Sequence, residues 1–247
     1  QTGQRVFGLH WPDCRRIAFV FKAILVSIAA VDCMSIPSLE LIRRFDIPSP
    51  RYASYPTADR FVEAFDAEQV AQVLAQRREG AAALRLPLSL YVHIPFCESL
   101  CYYCACSQVV TKQRARAETY LRYLSREADL HTTHLGLGQT VSQLHLGGGT
   151  PTFLCDDDLR ELLAMLRRSF KFSSDGDYSI EVDPRSVDAA RLATLADLGF
   201  NRLSLGVQDF DAAVQKAVRR VQPAEQVFGL MATARTLGFK SVGVELM

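Results

Sequence analysis

A run of cysteines, CESLCYYCAC at residues 97 to 106, is the part of the sequence best suited to chemistry. Cys97, Cys101 and Cys104 follow a C-x3-C-x2-C spacing, and Cys106 adds a fourth thiol close behind them. Three soft thiolates on one loop can hold three irons of a [4Fe-4S] cube and leave the fourth iron open to a substrate or cofactor. The spacing therefore favours an iron–sulfur cluster on this loop.

Other uses of the same thiols remain open from the residues alone. A structural zinc site usually combines two separated ligand pairs, and the sequence offers no second C-x2-C pair and no suitable histidine pair. A redox dithiol at Cys101 and Cys104 is a further alternative, because these two residues form a C-x2-C pair. Spacing does not assign Cys106, because a short loop can redirect its side chain.

The composition limits the classes of partner. The chain has 247 residues, 49% of them hydrophobic, so it can bury a sizeable core. Its 28 basic and 27 acidic side chains leave a net charge of +1, which gives no support for a nucleic-acid partner. The expected partners are therefore small molecules. An odd count of seven cysteines, with four in one run, favours a reducing, cytoplasmic location over a secreted disulfide framework.

The sequence predicts three parts, which are a possible non-native or upstream segment at 1–33, an N-terminal arm and helix at 34–85, and a β/α unit at 86–247. The first part precedes the first methionine, Met34. Its apolar stretch at 17–31 resembles a signal peptide but is too short and interrupted for a membrane span. The arm is rich in proline and serine up to Asp59, and a helix is predicted over 62–76.

The third part alternates strand patterns with helix patterns. Five short runs with β-branched residues or alternating polarity each predict a strand. The helix predicted over 156–170 begins with DDD and has RR near its end, which suits the helix dipole. Strands that alternate with helices imply parallel pairing, so the predicted fold class is α/β. The predicted strands lie at 88–94, 140–146, 178–183, 201–207 and 241–247.

Unusual small and polar residues lie at the C-terminal edge of each of these strands. The cysteine run follows the first strand, and the glycines at 147–149 follow the second. Glu181 and Asp183 end the third strand, Gly206 and Gln208 end the fourth, and Glu245 ends the fifth. In parallel α/β folds the carboxyl edge of the sheet is where ligands bind. The shared position therefore predicts a single site.

The order of these motifs resembles that of a known family. A C-x3-C-x2-C run at the end of a first strand is typical of the radical S-adenosylmethionine (radical SAM) enzymes. Further motifs resemble one branch of them, the oxygen-independent coproporphyrinogen III oxidases, and the resemblance covers about residues 39–247. These motifs are PRYASYPTA (50–58), SLYVHIPFC (89–97), HLGGGTPT (145–152), SIEVDPR (179–185) and NRLSLGVQDF (201–210).

The resemblance implies a parallel β/α, TIM-like partial barrel of the radical SAM type. Because the sequence stops at Met247, the barrel is expected to be incomplete in this chain and the chain to be inactive alone. The implied activity is a radical SAM oxidoreductase that decarboxylates two propionates of coproporphyrinogen III to vinyl groups, giving protoporphyrinogen IX for haem synthesis. A reducing electron donor and a monomeric complete protein are expected as well.

The resemblance also implies how the cofactors are held. Cys97, Cys101 and Cys104 ligate the [4Fe-4S] cluster, and S-adenosylmethionine chelates the open iron. An electron from the cluster cleaves this cofactor to a 5′-deoxyadenosyl radical, which removes a hydrogen from a propionate before carbon dioxide leaves. Cys106 is not a ligand in the family. Its presence, with PRYASYPTA, favours an oxidase over the alternative, a haem-binding chaperone-like relative on the same scaffold.

Further residues are expected to bind S-adenosylmethionine on the same resemblance. Small residues after the second strand let the cofactor approach the backbone, and polar residues at later strand ends can contact its ribose, ammonium or carboxylate. Glu245 stands where the family usually has Asp, which is expected to shift the ribose contact. No catalytic residue is assigned. The predicted binding residues are Tyr91, Tyr103, Gly148, Gly149, Thr150, Glu181, Gln208, Arg220 and Glu245.

Overall fold

A parallel sheet of five strands forms the centre of the fold. The structure, a computed structural model, describes residues 38–45, 60–80 and 86–247. The strands in these segments are β1 (Leu88–Ile94), β2 (Phe96–Cys97), β3 (Val109–Val110), β4 (Gln139–Gly148), β5 (Phe170–Val182), β6 (Arg202–Gln208) and β7 (Ser241–Leu246). The helices are α1 (Leu39–Phe45), α2 (Ala67–Glu79), α3 (Ala115–Leu135), α4 (Asp156–Ser169), α5 (Ala189–Asp197), α6 (Ala212–Ala217) and α7 (Ala224–Thr236).

The sheet has the strand order β1-β4-β5-β6-β7, and every pairing in it is parallel. Helices α3, α4, α5 and α7 connect successive strands of the sheet, as parallel pairing requires. Strands β1 and β7 are the two edges and, within the described residues, do not pair with each other. The predicted α/β class and the open, partial barrel are therefore confirmed.

Alternation along β1 explains the two faces of the sheet. Leu90, Val92 and Ile94 are completely buried, whereas the intervening Tyr91 and His93 are only partly buried. Successive side chains of a strand point to opposite faces, so the first set packs under the helices and the second faces the concave side. Each fully buried aliphatic side chain contributes about 1.5–3 kcal/mol of hydrophobic stabilisation.

Helix α4 shows how the helices cover the apolar face. Leu159, Leu162 and Leu166 recur at helical spacing and are at most 1% exposed. The thiol of Cys155 accepts a hydrogen bond from the amide of Asp158 at the start of the helix, and the Asp158 carboxylate accepts one from the amide of Cys155. The helix predicted over 156–170 ends at Ser169, so this prediction is confirmed to within one residue.

The N-terminal elements differ from the predictions. The helix predicted over 62–76 begins at Ala67, because Asp66 caps it: the Asp66 carboxylate accepts from the amides of Glu68 and Gln69, and the Gln69 side chain accepts from the amide of Asp66. The predicted irregular arm contains helix α1, whose described side chains are exposed. The PRYASYPTA motif and residues 1–33 lie outside the described residues. The described segments contain no helix with the length and hydrophobicity of a bilayer span.

Candidate functional site

The cysteine run forms a loop whose two ends are joined by a short strand pairing. Strands β2 and β3 pair in parallel, and the amides of Val109 and Thr111 donate to the carbonyls of Pro95 and Cys97 at 2.7 and 2.8 Å. The pairing fixes where the loop leaves β2 and where it returns. The intervening segment carries the second and third cysteines of the spacing, so both are held near the carboxyl end of β1.

The three cysteines of the C-x3-C-x2-C spacing line one cavity of about 1210 Å³. The thiols of Cys97 and Cys101 are buried, that of Cys104 is half-buried, and all three are free of disulfides. Burial raises the pKa of the Cys97 thiol, against a hydrogen bond to Thr150 and the charge of Arg220 that lower it. Arg220 Nη1 lies 3.7 Å from Cys101 Sγ. A guanidinium beside these sulfurs suits anionic thiolates.

The thiols suit a cluster better than a single ion. In the described part of the chain, no group of three or more His, Cys, Asp or Glu side chains is arranged to hold one metal ion. A four-iron cube is larger than an ion, and its ligands stand further apart. Three free thiols around one cavity, with a cation beside them, fit the [4Fe-4S] cluster that the C-x3-C-x2-C spacing predicts.

The fourth thiol, Cys106, also lines the cavity. Burial, followed by a hydrogen bond to Cys104, raises the pKa of Cys106 to about 11. The charge of Glu181 acts in the same direction, and Cys106 in turn is among the groups that raise the pKa of Tyr91, to about 12. Cys106 is exposed at the cavity, and its thiol is in hydrogen-bond contact with Cys104.

The glycine-rich turn after β4 lies directly against the cysteine loop. The amide of Gly149 donates to the carbonyl of Ile94 at 2.8 Å. A Cβ at Gly149 would lie 2.7 Å from the carbonyl oxygen of Pro95 and 2.9 Å from Cys97 Sγ. Gly148 has a φ of +118°, which other residues rarely adopt. These glycines are therefore required for the close packing of the turn on the loop.

Glu181, at the end of β5, holds this turn from the concave side. Its Oε2 accepts from the amide of Gly148 at 3.1 Å, and its Oε1 lies 3.1 Å from His145 Nε2. The other ring nitrogen of His145 lies 2.7 Å from Ser179 Oγ. The ring of Tyr91 stacks on His145 with 5.6 Å between the centroids. Glu181 is therefore fixed by the turn and by His145.

His145 was not predicted as a site residue. Along β4 it alternates with Leu144 and Leu146, which are buried, at 2% and 0% exposure. The sequence LHL at 144–146 already shows this alternation, which indicates that His145 faces the concave side with the other polar residues. Its pairing with Glu181, however, depends on the register between β4 and β5, where His145 is opposite Ser179.

Two arginines meet at Asp183, just beyond β5. Arg185 Nη2 lies 2.7 Å from one Asp183 oxygen, and Arg220 Nη2 lies 3.5 Å from the other. Burial raises the pKa of Asp183, but hydrogen bonds from Arg185 and the charges of both arginines outweigh it and hold the pKa below its usual value. Arg220 also donates from Nε to the carbonyl of Gly206 at 3.0 Å. Asp183 thus orients the arginine that reaches Cys101.

We expect Asp183→Asn to destabilise the cluster-free chain by about 3–5 kcal/mol at pH 7, because it removes one partner of a buried ion pair. The pKa of Asp183 in the folded chain lies below the ordinary value of 3.8. The stabilisation is therefore complete above that pH and is lost as the pH falls through the folded pKa. Urea unfolding at pH 7 and at pH 3 measures the difference.

The matched control is Asp157→Asn, whose side chain is 92% exposed and pairs with Arg160 on the surface of α4. Such exposed pairs contribute about 0–1 kcal/mol, so the control should unfold almost as the parent chain does. A destabilisation by Asp183→Asn that is equally large at both pH values would contradict the role of its charge.

The remaining predicted residues lie around the same cavity. The structure brings every predicted ligand and binding residue to its lining, including Tyr91, Tyr103, Gln208 and Glu245. Gln208 has a φ of 74° at an irregularity in the pairing of β6 with β7. Ser204 donates to the carboxylate of Glu245 at 2.6 Å, so this longer acid is anchored to the neighbouring strand. The roles of these residues remain predictions.

The class of protein follows from this arrangement and from its relatives. Residues 91–247, more than half of the chain, match the Radical SAM superfamily. The chain belongs to this superfamily, whose members use a [4Fe-4S] cluster and S-adenosylmethionine. The cofactor prediction is therefore confirmed at the level of the family.

Individual relatives define a narrower group. The oxygen-independent coproporphyrinogen III oxidase of Pseudomonas aeruginosa is 49% identical over 210 residues, which are 84% of this chain and 45% of that relative. The enzyme of the same name from Escherichia coli is 46% identical over 209 residues, or 85% of this chain and 44% of the relative. The solved structure of the Escherichia coli coproporphyrinogen III oxidase HemN, described as a radical SAM enzyme, superposes with a TM-score of 0.73 at 43% identity. That match covers 85% of this chain and 45% of the other, so the chain spans just under half the length of these relatives.

Proposed function

We propose that the chain forms the cofactor-binding part of an oxygen-independent coproporphyrinogen III oxidase. The observation that carries this proposal is the single cavity on which every predicted ligand and binding residue converges. The identity of 49% to the Pseudomonas aeruginosa oxidase supports the choice of this reaction within the superfamily. For each of two propionates of coproporphyrinogen III, the 5′-deoxyadenosyl radical would take one hydrogen atom, carbon dioxide would leave, and one electron would pass to an acceptor, which gives a vinyl group.

Cys97, Cys101 and Cys104 would hold the [4Fe-4S] cluster. When bound, the cluster supplies the electron that cleaves S-adenosylmethionine to a 5′-deoxyadenosyl radical. Arg220 is buried and its Nη1 lies 3.7 Å from Cys101 Sγ, so its positive charge would lie beside the sulfur ligands of the cluster. Asp183 keeps that guanidinium in position. These contacts keep the cysteine loop in a form suited to ligation.

S-adenosylmethionine would lie between the cysteine loop and the carboxyl edge of the sheet. Gly148, Gly149 and Thr150 present backbone that the methionine part can approach closely. Glu181 and Gln208 would contact the ammonium or the ribose, and Arg220 a carboxylate. Glu245 would contact the ribose from the edge strand. Tyr91 and Tyr103 would pack against the cofactor at either side of the cluster.

The size of the cavity supports a second, larger ligand. Its volume of about 1210 Å³ exceeds the roughly 300–1,000 Å³ typical of sites for one drug-sized molecule. Lys112 and Arg114 line the cavity and are exposed, which suits a substrate with several carboxylates. The cavity therefore has room for the cofactor together with part of a tetrapyrrole.

The experiment is anaerobic incubation with coproporphyrinogen III, S-adenosylmethionine and dithionite. We expect 5′-deoxyadenosine, carbon dioxide and protoporphyrinogen IX from a hybrid in which this chain is followed by the part of the Pseudomonas aeruginosa relative beyond the matched region. The same hybrid with Cys101→Ala should give none of the three. Chromatography of the nucleoside and of the oxidised porphyrin provides the measurement.

Two outcomes of this assay would reject the proposal. A hybrid that binds haem tightly and releases no carbon dioxide would instead support the haem-binding alternative. A hybrid that cleaves S-adenosylmethionine but leaves coproporphyrinogen III unchanged would indicate another substrate for the same cofactors. The cytoplasmic location, the electron donor and the monomeric state remain predictions.

A further inference from the structure

His145, near the end of β4, has a hydrogen-bond partner at each ring nitrogen. Its Nδ1 lies 2.7 Å from Ser179 Oγ, and its Nε2 lies 3.1 Å from Glu181 Oε1. The ring of Tyr91 stacks on it with an interplanar angle of 24°. His145 lines the cavity, whereas Ser179 does not. The ring is therefore held by contacts from β1 and β5, the strands on either side of β4.

The partners of the ring determine which nitrogen carries the hydrogen. A neutral imidazole has one N–H donor and one acceptor nitrogen, and an ionised carboxylate can only accept. Nε2 faces the Glu181 carboxylate, so Nε2 must carry the hydrogen, and Nδ1 must accept one from the Ser179 hydroxyl. Another acceptor for that hydroxyl, the carbonyl of Leu144, is further away at 3.3 Å. The order of donation is thus from Ser179 to His145 and from His145 to Glu181.

Gly147 shows how closely this network is packed against β4. A Cβ at this position would lie 2.9 Å from both Glu181 Oε1 and His145 Nε2, and 3.0 Å from Cε2 of Tyr91. Any larger residue would push the two polar side chains out of place, whereas glycine permits their close approach to the backbone. The sequence therefore leaves room for the contact between His145 and Glu181 directly beside the strand.

The network holds both oxygens of Glu181 and still leaves the carboxylate open to the cavity. Oε1 faces His145, and Oε2 accepts from the amide of Gly148 at 3.1 Å. A carboxylate has about four acceptor positions, so roughly two remain for a ligand. Glu181 lines the cavity, and its side chain is 32% exposed. A carboxylate that is held in one rotamer before binding loses little side-chain entropy when a ligand with N–H or O–H donors arrives.

We infer that His145 is a positioning residue, which in its Nε2–H form holds Glu181 in the orientation that binds the ammonium or a ribose hydroxyl of S-adenosylmethionine. The inference deepens the proposed function and rests on the cofactor site within it. His145 acts through Glu181, and Ser179 acts through His145. Because none of these residues is among the proposed cluster ligands, their replacement should change cofactor affinity and leave the iron content unchanged.

The test compares two amides that imitate different ring nitrogens, in the chain loaded anaerobically with iron and sulfide. The side-chain nitrogen of glutamine reaches about as far as Nε2 of histidine, so His145→Gln should bind S-adenosylmethionine within about threefold of the parent affinity. The shorter asparagine reaches only as far as Nδ1, so His145→Asn should bind at least tenfold more weakly, as expected when a carboxylate loses a hydrogen bond. Calorimetry under nitrogen measures both affinities. The control His134→Asn, on α3 and outside the cavity lining, should bind as the parent does.

Two further measurements separate positioning from direct contact. In a Glu181→Ala background, His145→Asn should cause no additional loss of affinity, because the residue through which it acts is already absent. In the cluster-free chain, magnetic resonance spectra of labelled histidine should show the hydrogen on Nε2 of His145 and not on Nδ1. Ser179→Ala should weaken S-adenosylmethionine binding and reduce the share of that form, because Nδ1 loses its donor.

The same measurements can overturn the inference. Equal losses in His145→Gln and His145→Asn would indicate a packing role, and a further tenfold loss in the Glu181→Ala background would indicate that His145 contacts the cofactor itself. Hydrogen on Nδ1 in the parent chain, or no measurable binding of S-adenosylmethionine by that chain, would also contradict it. None of these measurements contains coproporphyrinogen III, so a failed oxidase assay alone would reject the proposed reaction and leave this result intact.

Discussion

Cys101→Ala is expected to remove the visible absorbance of the anaerobically loaded chain and to reduce its iron content to the background of the assay. Cys101 is buried on the cavity side of the loop, and its Sγ lies 3.7 Å from Arg220 Nη1. A cube that has lost one of three protein ligands exposes a second iron to solvent, which favours its breakdown. Cys97→Ala and Cys104→Ala should have the same effect. Iron and acid-labile sulfide analysis checks each variant.

Two cysteines provide matched controls for this loss. Cys155 is exposed at the start of α4, so Cys155→Ala should keep the full iron content and lose only a weak helix-capping hydrogen bond from the amide of Asp158. Cys106→Ala should also keep the cluster, because the proposed ligands are the other three cysteines of the run, but it should impair turnover. An unchanged iron content in Cys101→Ala would remove the basis for a cluster on this loop.

Gly149→Ala is expected to disrupt the junction between the glycine-rich turn and the cysteine loop. The added Cβ would lie 2.7 Å from the carbonyl oxygen of Pro95 and 2.9 Å from that of Phe96, and backbone cannot yield as a flexible side chain can. Such overpacking costs about 1–3 kcal/mol. The same Cβ would lie 2.9 Å from Cys97 Sγ, so we expect the variant to lose S-adenosylmethionine binding and part of its iron as well as stability. Calorimetry under nitrogen and thermal unfolding measure these losses.

The control for Gly149 is Gly229→Ala in α7. Its Cβ would meet no atom within 4 Å, and alanine is favoured over glycine in a helix by about 1 kcal/mol. Gly229→Ala should therefore unfold at a slightly higher temperature and bind the cofactor as the parent chain does. Parent-like cofactor binding by Gly149→Ala would show that the turn does not approach the methionine part closely.

Much of the sheet could be predicted because its strands alternate clearly. The limits of β1 agree with the predicted strand at 88–94, since LSLYVHI alternates apolar and polar side chains. Strand β5, however, begins at Phe170 and not at Tyr178, because the polar run SSDGD at 173–177 hides the continuity between FKF and YSIEV. Strands β2 and β3 have two residues each, too few for any periodicity. The late start of α2 could have been predicted, because Asp66 and Gln69 form a capping-box pattern.

The position of the candidate site was predictable, but its internal contacts were not. Parallel strands place their carboxyl ends at one edge, so residues after different strands are expected to meet there. The bond from Glu181 to Gly148 depends on the register of β4 and β5, which no local pattern specifies. Likewise, the contact between Arg219 and Tyr102 joins residues far apart in the chain. Such contacts follow from the tertiary arrangement alone.

The short parallel pair of β2 and β3 reduces the chain entropy that cluster assembly must remove. Hydrogen bonds from Val109 to Pro95 and from Thr111 to Cys97 already close the loop before any iron binds. The entropic cost of closing a loop rises with the logarithm of its length. In this chain, folding has already closed the loop, so metal binding does not have to offset that cost. A free peptide with the sequence CESLCYYCAC lacks this closure and must be ordered by the metal itself. The folded chain should therefore capture its first iron at concentrations where the isolated peptide remains unliganded.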